Sequence, residues 1–132
     1  MNTLSADLLQ CLDRAARQAS AHAYAPYSKF QVGAACVGGS GRIYSGANVE
    51  NASYGLTICA ERNALFQAIA AGEREIRAMV VYTPTAAPTT PCGACRQVLC
   101  EFGDAIEVIC CCDGGAVRSL TSGQLLPDRF RL

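Results

Sequence analysis

The chain has 132 residues, 51% hydrophobic and 17% charged, which predicts one folded domain over 1–132 with room for a core and excludes a disordered tail. Eleven basic and eleven acidic side chains cancel, so no overall field draws in a polyanion; a small uncharged molecule is the expected partner, with no nucleic acid and no membrane. The first ten residues carry no basic leader and place Asp7 within their apolar stretch, and no run is long enough to span a bilayer, so the cytoplasm is the expected compartment.

Leu8, Leu12, Ala15, Ala19 and Ala23 recur at helical spacing. Ser5 is placed to cap this first helix, Asp7 suits its first turn, and Pro26 stops it. Residues 31–37 and 42–49 read as strands joined by Gly38-Gly39-Ser40-Gly41, a link able to form a hairpin. Residues 57–71 read as a helix with Gly72 beyond it as a C-cap. The apolar run 76–82 suits a buried central strand. The proline- and threonine-rich stretch 83–91 then stands as the only long connection without regular structure, a feature that marks a functional or mobile loop. A helix follows over 92–102. Strands 107–112 and 116–120 flank Asp113-Gly114-Gly115, a hairpin signal that makes the last pair antiparallel, and a short helix covers 122–126. This order predicts an α/β fold, a mixed sheet with helices packed on its faces.

Nine cysteines are many for this length. Their odd number and the absence of a leader argue against a disulfide framework, so clustered cysteines read as metal ligands and scattered ones as small core residues. Pro91-Cys92-Gly93-Ala94-Cys95 puts two thiols one turn apart at a helix start. Alone, that spacing also fits half of a structural zinc site or a redox pair. Cys59 adds a third thiol at the start of the preceding helix, with Glu61 two residues later. Three sulfurs with one position left for water is the pattern of catalytic zinc, whereas a structural site fills the fourth position with Cys or His. His22, the one histidine, is remote in sequence and reads as a partly exposed bystander.

Cys59-Ala60-Glu61 followed by Pro91-Cys92-Gly93-Ala94-Cys95 resembles the signature of the cytidine deaminases, in the form with three cysteine ligands. Tyr24-Ala25-Pro26-Tyr27-Ser28-Lys29-Phe30, Val32-Gly33-Ala34-Ala35, Asn48-Val49-Glu50-Asn51 and Leu125-Leu126-Pro127 also look like family segments, so the likeness covers nearly the whole chain. The resemblance implies a three-layer sandwich on a mixed five-stranded sheet. It implies one Zn²⁺ per subunit on Cys59, Cys92 and Cys95, and hydrolytic deamination of cytidine and 2′-deoxycytidine in pyrimidine salvage. It also implies a homotetramer. Glu61, not itself a ligand, would move protons from water to ring N3 and then to the departing amine, which leaves as ammonia.

Three thiolates on a dication leave a net negative centre, which two helix N-termini, each worth roughly half a positive charge, help to offset. Arg62 matches the family arginine that donates hydrogen bonds to the ligand sulfurs, with a surface salt bridge as the plain alternative. Asn48 and Glu50, two apart on a strand, face one side and can hold ribose hydroxyls, the family's sugar clamp. By resemblance Phe30 stacks on the pyrimidine, the Ala60 amide helps to orient the reacting oxygen, and Tyr54 and Phe130 reach in from a neighbouring subunit. Cys11, Cys36, Cys100, Cys110, Cys111 and Cys112 match no ligand position and read as small core or surface residues.

A deaminase of a cytosine-bearing nucleoside antibiotic such as blasticidin S shares the zinc core, but the intact sugar clamp favours ordinary nucleosides. A nucleic-acid editing deaminase is disfavoured by zero net charge and the lack of a basic, aromatic-interleaved stripe. A structural zinc module is disfavoured by Glu61 and the missing fourth ligand.

Overall fold

The computed structural model describes residues 4–132; the first three residues, part of the stretch expected to lack a leader, lie outside them. Ser5 caps α1 (Ala6–Ser20), its hydroxyl accepting from the Leu8 amide at 3.1 Å. The helix does not run on towards Pro26. It ends at Ser20, whose hydroxyl donates to the Arg17 carbonyl at 2.6 Å and competes with the helical ladder. Residues 21–32 then cross to the sheet without a helix or strand, so the loop 83–91 is not the only long irregular connection.

The glycine link joins β1 (Gly33–Gly38) to β2 (Ile43–Ala47) as an antiparallel hairpin, with Gly41 at φ +89° where a side chain would be strained. A single 3₁₀ turn, Tyr54–Leu56, precedes α2 (Ala60–Ala70). That helix starts three residues later than the expected 57 because Cys59 is extended, with ψ of 158°. Gly72, at φ +102°, closes the helix as expected, its amide donating to the Ile69 carbonyl at 3.0 Å. The remaining elements are β3 (Ile76–Tyr82), α3 (Gly93–Cys100), β4 (Glu107–Cys111), β5 (Arg118–Thr121) and α4 (Ser122–Leu125).

The five strands form one mixed sheet in the order β2-β1-β3-β4-β5, with β3 and β4 parallel and every other pair antiparallel, the last included. Period-two alternation sends Ala35, Val37, Ala78 and Val80 to one face, where Leu12 and Ala16 of α1 cover them. The opposite face carries Ala34, Cys36, Met79 and Val81, packed against Ala64, Leu65 and Ala68 of α2 and Leu99 of α3. Three layers result, as the resemblance implies. Small residues let the layers close up: a Cβ on Gly46 would stand 2.6 Å from the Ala64 amide nitrogen. Across that contact Asn63 Nδ2 donates to the Ala47 carbonyl and Gln67 Nε2 to the Ser45 carbonyl, both at 2.8 Å, so α2 is pinned to the edge strand.

Cys36, Cys100, Cys110, Cys111 and Cys112 are buried and Cys11 is exposed, matching their reading as core and surface residues. Burial pushes the Cys36 thiol up to about 12, with the Glu73 charge adding, and the Cys110 and Cys111 thiols up to about 11, which makes them poor nucleophiles. Among the described residues no helix is long and apolar enough to cross a membrane.

Candidate metal centre and active site

The approach to Cys59 is fixed by pairing rather than by helix. Val49 and Ile58 exchange backbone bonds of 2.9 and 3.0 Å, which extends the end of the β2 segment alongside the cysteine. Cys59 then caps α2 and Cys92 caps α3, both without a capping side-chain bond, so each sulfur is left to face a common point. Cys95 sits one turn into α3 and is fully buried. The Cys59 and Cys92 sulfurs are 3.8 Å apart, Cys92 and Cys95 3.4 Å, and all three lie within 4.8 Å of one another. Zinc with tetrahedral Zn–S bonds of about 2.3 Å needs its sulfurs about 3.8 Å apart. The thiol set fits that ion.

Arg62 donates to Cys59 Sγ at 3.5 Å and to the Thr57 carbonyl at 3.4 Å, and it forms none of the salt bridges among the described residues, so the surface ion-pair alternative falls away. Its Nε is buried without a hydrogen-bond partner. The neighbouring Cys95 thiol, together with Arg62 and Cys92, holds the Cys59 thiol well below its usual range, while the hydrogen bond to Cys59 and burial push the Cys95 thiol up. With one thiol so disposed to ionise and two more sulfurs beside it, the cluster offers a dication a charged ligand.

Glu61, in the first turn of α2, is 6% exposed. Burial pushes its carboxyl up to about 7, with the negative charge on Cys59 adding to the effect. A proton therefore moves on and off this group near neutral pH at little cost. Glu61 shares a cavity of about 190 Å³ with Cys59, Cys92, Ala60, Phe30 and Asn48, so six of the residues singled out in the sequence come together.

Asn48 and Glu50 lie just beyond the end of β2 rather than on it, and they part company. Asn48 accepts from the Val32 amide at 2.9 Å and donates to the Phe30 carbonyl at 2.7 Å, bracing one cavity wall. Glu50 lines an adjoining cavity of about 390 Å³ with Tyr27, Ser28, Tyr54 and Thr57, and Thr57 borders both spaces. The Ser28 hydroxyl, with the Tyr27 and Ser28 amides, holds the Glu50 carboxyl below its ordinary range. Tyr54 meets Tyr27 of its own chain edge-on at 5.9 Å. Phe130 is remote from this cavity: it lines another with Gln97, Cys100 and Arg129, its carbonyl accepting from Gln97 at 3.3 Å. His22 is exposed beyond α1 and borders neither space.

Two features were not read from the sequence. Threonines of the 83–91 loop, Thr83, Thr89 and Thr90, line the Glu61 cavity, and only the length of that connection hinted at it. Arg96 donates to the Pro91 carbonyl at 2.7 Å, to Thr90 Oγ1 at 2.8 Å and to the Leu125 carbonyl at 2.8 Å, tying loop, cysteine motif and C-terminal segment together. Its place directly after Cys95 was the available signal.

Three thiols at adjoining helix starts, two of them sharing a cavity with a buried carboxyl, define a hydrolytic zinc site. The family model for the cytidine and deoxycytidylate deaminase zinc-binding region matches residues 8–112. A cytidine deaminase of Halalkalibacterium halodurans is 48% identical over 122 residues, 92% of each chain. A cytidine deaminase of Sporosarcina psychrophila is 44% identical over 86% of this chain and 85% of that one. The crystal structure of cytidine deaminase from Burkholderia pseudomallei superposes with a TM-score of 0.88 at 52% identity, covering 92% of this chain and 98% of that one. That of Mycobacterium tuberculosis gives 0.80 at 41%, covering 94% and 98%. The chain belongs to the cytidine deaminase family and is a zinc-dependent hydrolase of that class.

Proposed function

We propose that this enzyme hydrolyses cytidine and 2′-deoxycytidine to uridine and 2′-deoxyuridine with release of ammonia, in cytoplasmic pyrimidine salvage. It works as a homotetramer of single catalytic domains spanning 1–132, each holding one Zn²⁺ on Cys59, Cys92 and Cys95. The observation that carries this reading is the shared cavity of Glu61, Cys59 and Cys92, small, partly apolar and lined by Phe30. Zinc, when bound, supplies the acidity that makes a water reactive at neutral pH. Glu61 takes a proton from the attacking water and delivers it to ring N3, which makes C4 more electrophilic; it then carries a second proton to the departing amine. The Ala60 amide helps to orient the reacting oxygen. Phe30 stacks on the base, Asn48 and Glu50 hold the sugar, Tyr54 and Phe130 close the pocket from a neighbouring subunit, and Arg62 steadies the Cys59 sulfur, which its NH2 group already meets. Ammonia release from cytidine by the zinc-loaded protein is the direct test. Free cytosine should be a poor substrate, because it lacks the sugar whose binding positions C4. No ammonia from either nucleoside overturns the reading, and equal efficiency on cytosine overturns the clamp.

A further inference from the structure

Thr83 is 2% exposed and lines the cavity that holds Glu61, Cys59 and Cys92. Its backbone prolongs the parallel pairing of β3 and β4: the Thr83 amide donates to the Cys111 carbonyl at 3.1 Å, and the Asp113 amide to the Thr85 carbonyl at 2.9 Å. The two threonine hydroxyls are 2.8 Å apart, and the Thr85 hydroxyl also meets the Ala87 carbonyl at 2.6 Å. A hydroxyl has one proton, and a carbonyl has none to offer. The proton of Thr85 is therefore spent on Ala87, and the proton between the two threonines is that of Thr83. Thr83 gives its only hydrogen to Thr85, so the hydroxyl of this cavity-lining residue has only lone pairs left for a ligand. Thr57 and Thr90, on the same walls, differ: their hydroxyl oxygens accept from the Asn51 amide at 3.2 Å and from Arg96 at 2.8 Å, which leaves their protons free to donate.

We infer that Thr83 is a specificity residue, an acceptor-only hydroxyl that favours the amino group of the substrate and disfavours the carbonyl that replaces it. The inference rests on the proposed function. Hydrolysis exchanges a C4 amine for a C4 carbonyl: water supplies the oxygen, the C–N bond breaks, and the nitrogen leaves as ammonia. The amine brings N–H donors to an acceptor, whereas the carbonyl brings lone pairs against lone pairs, and a buried polar contact without a proton is costly. One hydroxyl, fixed by its neighbours, thus raises affinity for the substrate and helps to expel the product.

The test compares the zinc-loaded enzyme with Thr83→Val, Thr83→Ser and Thr85→Val, measuring KM for cytidine and the dissociation constant of uridine by calorimetry. Thr83→Val should reduce the preference for cytidine over uridine by about tenfold, the size expected for one buried hydrogen bond, and Thr83→Ser should restore it. Thr85 is absent from the cavity lining, yet Thr85→Val removes the acceptor that holds the Thr83 proton. The freed proton can then meet the product carbonyl, so uridine should bind more tightly with the Thr83 side chain intact. A purely structural role would weaken both nucleosides together, and that result overturns the inference. So does a shift in Thr83→Val with none in Thr85→Val, because the proton assignment is then wrong. Failure of the wild-type enzyme to release ammonia from cytidine is a separate result, which removes the underlying function and this inference with it.

Discussion

Glu61 shows how much of a side chain's chemistry is set by where it sits. A glutamate in the first turn of a helix is favoured by the helix dipole wherever it occurs. Here the same residue is buried beside three thiols, and burial brings its carboxyl up to about 7, into the range where it can both take and give a proton. Glu61→Gln keeps the shape and leaves all three sulfurs in place. Metal analysis should therefore find the zinc content unchanged, while kcat falls by the ~10²–10⁴-fold that a positioned acid and base provides. Near-normal turnover would remove Glu61 from the mechanism. Loss of zinc would mean instead that the carboxyl supports the thiol set, a role its position in the same cavity does not require.

At the scale of elements, the site depends on where two helices begin. The sequence places α2 and the Cys92 helix in the right order, because helical spacing, glycine stops and the cysteine motif are all local signals. It misplaces their first residues. Cys59 is held extended by the Val49–Ile58 bridge, a pairing that no local pattern encodes, and α1 ends early at a serine that bonds back to its own helix. The zinc ligands were legible because their chemistry is carried by residue type and spacing. The threonine hydroxyl relay was not, since it depends on the direction of two protons set by tertiary contacts. The helix start is in turn positioned by the close contact at Gly46. Gly46→Ala would drive a Cβ to 2.6 Å from the Ala64 nitrogen and 2.8 Å from the Asn63 carbon, backbone atoms that can yield only if α2 shifts. Overpacking of this kind costs about 1–3 kcal/mol, read as a lower denaturation midpoint. Because Cys59 caps α2, zinc affinity in a chelator competition should fall as well. Gly55→Ala, with nothing within 4 Å of its added carbon, serves as the control. A Gly46→Ala protein as stable as its parent would show that α2 can slide without loss.

For the whole molecule, the unexplained feature is the amount of aromatic surface that one subunit leaves uncovered. Tyr24, Tyr27, Tyr54 and Phe130 are each at least half exposed, Tyr54 at 74% and Phe130 at 71%. The segment that carries Phe130 is nonetheless well anchored: Arg129 and Arg131 both pair with Asp104, Arg96 holds the Leu125 carbonyl, and Gln97 donates to the carbonyl of Phe130 itself. The ring is thus presented from a fixed tail and mostly left uncovered by its own chain, and a large exposed ring so held calls for a partner surface. The tetramer proposal supplies one, with Phe130 closing the cavity of a neighbour, excluding water and strengthening the electrostatics around its thiol cluster. Complementation tests the arrangement. Glu61→Gln subunits and Phe130→Ala subunits are each impaired alone, but in mixed tetramers some sites combine an intact Glu61 with a neighbour's intact Phe130. Activity of the mixture should exceed the sum of the two separate preparations, and dilution that dissociates the tetramer should abolish the gain. If verified mixed tetramers give only that sum while Phe130→Ala alone is clearly impaired, Phe130 acts within its own chain and the shared site is wrong.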